Sequence, residues 1–172
     1  MEPIFENVYT DTEEMFREQY NRSGWVMRAV WVAVFLCLIV YYGIVLLTEQ
    51  SLFYLLIVLI YLAYLVYMLL VPCIRAKRHI KNELTEYGGT LPQTVVQFFE
   101  NEVTAKYGRT TNTISYEQIT DIIVLNHTII LNVKKVTGIP ISPKHFTKGS
   151  VEELYRFLQV KCPGVKLPGW KW

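Results

Sequence analysis

Charge is what the middle of this chain lacks. Its 172 residues include 17 basic and 15 acidic ones, yet between Trp25 and Ile74 only Arg28 and Glu49 are charged. A run that poor in charge excludes an ordinary soluble surface there. Cysteine is also scarce. Cys37, Cys73 and Cys162 are three in number and show no CxxC or Cys/His ligand spacing, which excludes a disulfide framework or a zinc knuckle. His79, His127 and His145 are far apart, and none has another histidine three or four residues away. The sequence has no GxSxG, no Walker loop and no GxGxxG. Glu13-Glu14 and Glu152-Glu153 are explained as acids in first helical turns. These absences leave no candidate catalytic, cofactor-binding or metal-ligating residue. The expectation is a protein that is not an enzyme and carries no cofactor. A net charge of +2 is too small to suggest nucleic acid as a partner.

What fills the uncharged stretch is two apolar runs, 25–47 and 52–74. Each is about 35 Å long as a helix, enough to cross a bilayer core of about 30 Å. Neither has a polar face, so neither reads as a soluble amphipathic helix. The break between them, "TEQS" at 48–51, is long enough only to reverse direction. The segment before the first run is long and acidic and has no small-residue cleavage site, unlike a secretory signal. The expectation is a transmembrane helical hairpin with almost nothing on the far side.

Charge sets its orientation. Arg22 and Arg28 flank the start of the first run, and Arg75, Lys77, Arg78 and Lys81 follow the second, while "TEQS" has no Lys or Arg. The positive-inside rule then places both termini in the cytoplasm. Arg28 lies about a turn inside the helix and is expected to snorkel back to that surface. The four-residue basic run suits anionic headgroups, each charge contributing about 1 kcal/mol near the surface. Ala29, Ala33 and Cys37 recur every fourth residue, a small-residue stripe expected to pack against Ala63 across the hairpin. Tyr61 and Tyr64 fall near mid-membrane, where a phenol needs a partner. Without an ionisable residue at mid-depth, ion transport has little support. A subunit of an oligomeric channel or transporter, built from the tyrosine-rich helices, is the alternative reading.

Beyond Ile74 the pattern stays helical through a basic juxtamembrane segment, 75–89, with Gly88 as a stop. From Thr94 it changes to strand period. "TVVQFFE", "EVTAKYG", "TNTISY", "QITDIIVLN", "TIILNVK" and "TGIPIS" are short strands separated by tight turns, an antiparallel meander. Pro140 marks the last as an edge, and Thr137, Ile139 and Ile141 are the candidate residues for strand addition by a partner. "HFTKGS" reads as a solvated loop, with Lys144 and Lys148 near the next helix. Ser150 and Glu153 form a capping box for an amphipathic helix ended by Pro163. The domain spans 90–165, and a tail at 166–172 has Trp170, Lys171 and Trp172, which suit a membrane interface.

Residues 1–24 read as a strand, "PIFENVY", then a helix with acids in its first turn. They carry six acids and two bases, a net −4, against +4 for residues 90–172. With both termini on one side, the N-terminal strand can join the C-terminal sheet.

The arrangement resembles the bacterial YcxB-like membrane proteins. The resemblance rests on "FFENEVTAKYGRTTNTISYEQITDIIVLNHTIILNVKKVTGIPISPKHFTKGSVEELYRFL". Its marks are a strand pair ending in Tyr107-Gly108, "ISYEQITDI", and "IPISPKHF" before the final helix, with Tyr116 standing where the family tends to have Trp. The resemblance implies a pleckstrin-homology-like β domain and carries no activity with it. Lipid-binding members of that superfold place basic residues in the first strand-strand loop. Here that loop holds Glu100 and Glu102, which repel phosphate. The expected fold class is therefore an α+β membrane protein, a transmembrane hairpin plus a cytoplasmic meander closed by a helix. The expected partners are the lipid bilayer and an unidentified protein, with self-association through the hairpin as a further option.

Overall fold

A computed structural model describes residues 2–134 and 136–165. Strand β1 (Phe5–Thr10) leads into helix α1 (Glu13–Arg22), then α2 (Trp25–Glu49) and α3 (Leu52–Glu86). Strands β2 (Gln93–Phe98), β3 (Glu102–Tyr107) and β4 (Thr110–Ser115) follow. A single 3-10 turn, Tyr116–Gln118, leads to β5 (Ile119–Val124), β6 (Ile129–Val133), β7 (Val136–Ile141) and β8 (Phe146–Lys148). Helix α4 (Val151–Lys161) closes the order.

The two apolar helices are long enough to cross a membrane, and no residue in the apolar window of either is buried within the protein. Gln50 reverses the chain with a positive φ of 48°, and Ser51 caps α3 by accepting from the Phe53 amide. Helix α3 does not end with its apolar stretch. Its 35 residues make a rod of about 52 Å. The apolar and basic halves that the sequence divides at Arg75 are thus one continuous element.

The seam of the hairpin is aromatic. Phe35 lies 4.7 Å from Tyr64 and 5.9 Å from Tyr61, and Tyr42 lies 5.8 Å from Tyr61 and 6.4 Å from Tyr54. This corrects the small-residue stripe. Ala29, Ala33, Cys37 and Ala63 are all exposed, turned away from the crossing. The rings win because a helix pair in lipid gains only from packing, and a large flat surface gains more than a small one. Arg28 does turn back, its guanidinium donating to the Asn21 carbonyl.

Two sheets form the rest. One has the order β4-β3-β2-β1-β8 and the other β5-β6-β7, with antiparallel neighbours throughout. The N-terminal strand does join the C-terminal sheet. β1 pairs with β2 over six positions, from Phe5 opposite Phe98 to Thr10 opposite Gln93. Its other edge takes β8, inside the stretch expected to be a loop. Too short to show a period, that strand is held by Glu6 opposite Lys148 and Asn7 opposite Phe146.

The core lies between the sheets and under α4. Val96, Phe98, Val103, Ile129, Leu131 and Ile141 from the strands are fully buried, as are Leu154 and Leu158 from α4. Each such side chain contributes about 1.5–3 kcal/mol of burial. The capping box of α4 forms as the spacing predicts, with the Glu153 amide donating to Ser150 Oγ at 3.2 Å and the Ser150 amide to Glu153 Oε2 at 3.0 Å. Tyr116 is buried, with its ring edge-on to Phe157 and its hydroxyl donating to the Phe99 carbonyl at 2.7 Å. Burial pushes that phenol's pKa upward.

Candidate functional site

The richest concentration of polar side chains lies where α1 and the end of α3 meet the sheets. Asp11 sits between the last residue of β1 and Thr12, the cap of α1, whose hydroxyl accepts from the Met15 amide at 3.3 Å. It is therefore fixed from both sides, by a strand ladder and by a helix start. Only 6% of Asp11 is exposed. Its Oδ2 accepts from the Thr94 hydroxyl at 3.3 Å, while Oδ1 is buried without a partner.

Helix α3 brings the second set. His79 and Glu83 are one turn apart, with Nε2 to Oε1 at 3.2 Å. The Tyr20 hydroxyl of α1 lies 3.3 Å from the other ring nitrogen of His79, and the Phe16 ring packs 4.4 Å from the imidazole. An imidazole protonated on Nε2 satisfies both contacts, donating to Glu83 and accepting from Tyr20. Glu83 Oε2 remains buried without a hydrogen bond of normal geometry, and so do Gln19 Nε2 and the Tyr107 hydroxyl.

These groups line one cavity of about 480 Å³, walled on the apolar side by Phe16, Ile130, Ile139 and Pro140. Burial raises the pKa of Asp11 from 3.8 to about 6; the Thr94 hydrogen bond pulls it down, Glu83 pushes it up, and His79 pulls it down. Tyr107 is pushed upward, first by burial and then by hydrogen bonding to Glu83 and by the Glu83 charge. Two carboxyl groups thus share a partly dry space, with free acceptor atoms and little positive charge to answer them.

Nothing in the sequence reading singles out this cluster. Asp11 is one of several acids near the start of α1, and Thr12 supplies the cap. His79 and Glu83 have legible i, i+4 spacing within a basic helix. That a strand from residues 5–10 and a strand from 93–98 enclose them is a property of the fold alone.

The residues singled out in the sequence lie elsewhere. Arg75, Lys77, Arg78 and Lys81 are exposed on α3 just beyond its apolar half, with Ala76 fully buried among them. Trp170 and Trp172 lie outside the described residues. β7 is an outer strand, but it offers little to a partner. Ile139 and Ile141 point into the core, and of Thr137 only the backbone, within β7, is described. The β7 end is also taken. The Pro140 carbonyl accepts from the Tyr9 hydroxyl at 2.7 Å, and Asn7 bonds both backbone groups of Ser142. Lys148 lies 3.6 Å from Glu2. Each histidine has found a partner: His79 as above, His127 with Glu18 at 2.7 Å, and His145 with Ser142 Oγ at 2.7 Å.

Residues 98–158, from the last residue of β2 into α4, match the family model described as YcxB-like protein. Of the unpartnered atoms that line the cavity, only the Tyr107 hydroxyl comes from that span; Asp11, Gln19 and Glu83 lie before it. No curated protein and no solved structure matches the chain.

Proposed function

We propose that this chain, a YcxB-like domain joined to two membrane-crossing helices, is a non-enzymatic tether that holds a pleckstrin-homology-like interaction module against the inner face of a bacterial plasma membrane. The observation that carries the reading is the pairing of β1 with β2. One strand precedes the hairpin and the other follows it, and six paired positions require both ends of the hairpin to emerge on the same side. The basic residues after α3 and the uncharged stretch beyond Glu49 favour the cytoplasm as that side. The two-sheet meander closed by α4 supports the pleckstrin-homology-like comparison.

The module is tied to α2 through α1 and to α3 through β2, which keeps it beside the hairpin and raises its effective concentration toward membrane partners. Its partner is a protein that adds a strand, and the accessible edge is β4, whose Thr110, Thr111, Asn112 and Thr113 are exposed.

Two measurements test this. Cysteine labelling of intact cells should modify Gln50→Cys from outside and leave Thr111→Cys untouched until the membrane is breached; the reverse pattern overturns the orientation. A photo-crosslinking residue at position 111 should capture a defined protein, while one at Ile60 captures lipid. Capture of lipid or solvent alone at position 111 overturns the partner.

A further inference from the structure

We propose that the cavity between α1, α3 and the sheets binds a small organic compound through a protonated primary amine, with Asp11 and Glu83 receiving the ammonium group.

The argument begins with the unpaired atoms. Asp11 Oδ1 is a buried acceptor without a hydrogen bond, and Glu83 Oε2 is buried without one of normal geometry, although the Tyr107 hydroxyl interacts with the Glu83 carboxyl. A carboxylate oxygen can only accept, so its complement must donate. The second oxygens are already engaged, by Thr94 and by His79, which fixes both carboxyl groups in place. A primary ammonium has three donors. Two answer the carboxylates and the third is available to the Tyr107 oxygen.

Charge points the same way. An anion entering here meets two carboxyl groups, whereas a cation relieves the repulsion between them. Of the basic side chains at the cavity, Lys106 is exposed and His79 already answers the other Glu83 oxygen. Among the described residues there is no group of three or more His, Cys, Asp or Glu placed to hold a metal ion. The cation is therefore one that brings its own hydrogens. Opposite the carboxylates, Phe16, Ile139 and Pro140 offer an apolar wall for a hydrocarbon body. The volume of about 480 Å³ falls in the small-molecule range.

A primary ammonium can come from a free amine or from the ethanolamine headgroup of a lipid. Glu83 lies nine residues past Ile74, about 14 Å further along the helix, so the two sources compete at this depth.

The test uses the full chain in phosphatidylglycerol bilayer discs and three isosteric probes: phenethylamine, neutral phenethyl alcohol and anionic phenylacetate, at matched ionic strength. Phenethylamine should give saturable heat on titration and a saturable rise in Tm, at least about tenfold tighter than the alcohol, with phenylacetate inert. Asp11→Asn and Glu83→Gln should each weaken amine binding by about tenfold or more, and Glu117→Gln, at an exposed acid away from the cavity, should leave it unchanged. If Glu83→Gln does not fold, Asp11→Asn still decides, because it removes a buried charge while keeping an acceptor for Thr94, and its Tm is read alongside the titration. A cavity filled by water only, with no saturable response to any probe, overturns the proposal. So does an equal response to amine and alcohol, or amine binding that survives in Asp11→Asn. Discs containing phosphatidylethanolamine separate the sources. A weakened response to phenethylamine there supports ammonium binding by the headgroup, and an unchanged response supports a free amine.

Discussion

Asn7 and Ser142 stand 135 residues apart in the chain and complete each other's hydrogen bonding. The Asn7 side-chain amide donates to the Ser142 carbonyl at 2.7 Å, and the Ser142 amide donates to Asn7 Oδ1 at 3.0 Å. A side chain from β1 thus does for the chain just past β7 what a neighbouring strand would do. Asn7 is fully buried. Together with the Tyr9 hydroxyl on Pro140, this contact joins the two sheets at a point where no backbone ladder runs.

Replacing Asn7 by Ala should therefore cost more than the usual surface change. Two buried backbone groups lose their partners, at about 1–3 kcal/mol each, for a total on the order of 2–6 kcal/mol. Asn7→Asp should be as harmful, since it keeps an acceptor but places a charge in a dry site. Denaturant titration of the full chain in detergent measures both. A loss within about 0.5 kcal/mol would show that the sheets are joined some other way.

Asp11 gives a pH signature. Its folded pKa of about 6 lies above the ordinary 3.8 because burial disfavours the charged form. Below about pH 4 the carboxyl is protonated in both folded and unfolded chains and costs nothing. As pH rises toward 6 the unfolded chain ionises first, so stability falls, and the loss is complete above about 6. Its full size is about 3 kcal/mol, from 1.36 kcal/mol per pKa unit. Asp11→Asn keeps an acceptor for Thr94 and removes the charge. It should raise Tm at pH 7.5 and flatten this part of the stability–pH curve. A lower Tm at pH 7.5 would mean that the ionised carboxylate is compensated in the fold.

How much of this was readable depends on periodicity. The apolar runs, the strand period after Thr94, and the Ser150–Glu153 cap are local patterns, and each appears in the structure where the pattern lies. β1 was legible as a strand, and its place in the C-terminal sheet followed from charge and topology. β8 has three residues and exists only because Asn7 and Glu6 lie beside it. The helix seam misled because Ala29, Ala33 and Cys37 have the spacing of a close-packed stripe, while nothing in the spacing reveals which face Phe35 and Tyr42 will take. The cavity was illegible for a similar reason. Asp11 and Glu83 are ordinary exposed acids by sequence, and they share a space only after β1 and α3 have folded.

Gly149 tests the junction of β8 and α4. It has a positive φ of 78°, and a Cβ built there would lie 2.4 Å from the Phe5 ring. Phe5 has little room to yield, since its ring packs edge-on against both Phe98 and Phe157. Gly149→Ala should destabilise by about 1–3 kcal/mol from overpacking, with backbone strain added. Gly164→Ala is the control, because nothing lies within 4 Å of its added carbon. The prediction fails if the two variants unfold at the same denaturant concentration.

The aromatic seam makes the last prediction. Phe35 packs on Tyr61 and Tyr64, and aromatic pairs contribute about 0.5–1.5 kcal/mol each beyond simple burial. Phe35→Ala should weaken the hairpin by on the order of 1–3 kcal/mol, because lipid can replace apolar contact but not the fitted ring stack. Ala33→Leu should have little effect, since Ala33 faces outward and an added side chain there meets lipid tails. Crosslinking between cysteines placed at Tyr42 and Tyr54, whose rings lie 6.4 Å apart across the hairpin, in a background with the native cysteines replaced, reports how closely the helices hold. Crosslinking should slow in Phe35→Ala and stay unchanged in Ala33→Leu. The opposite ranking would return the seam to the small residues and place the rings in the lipid.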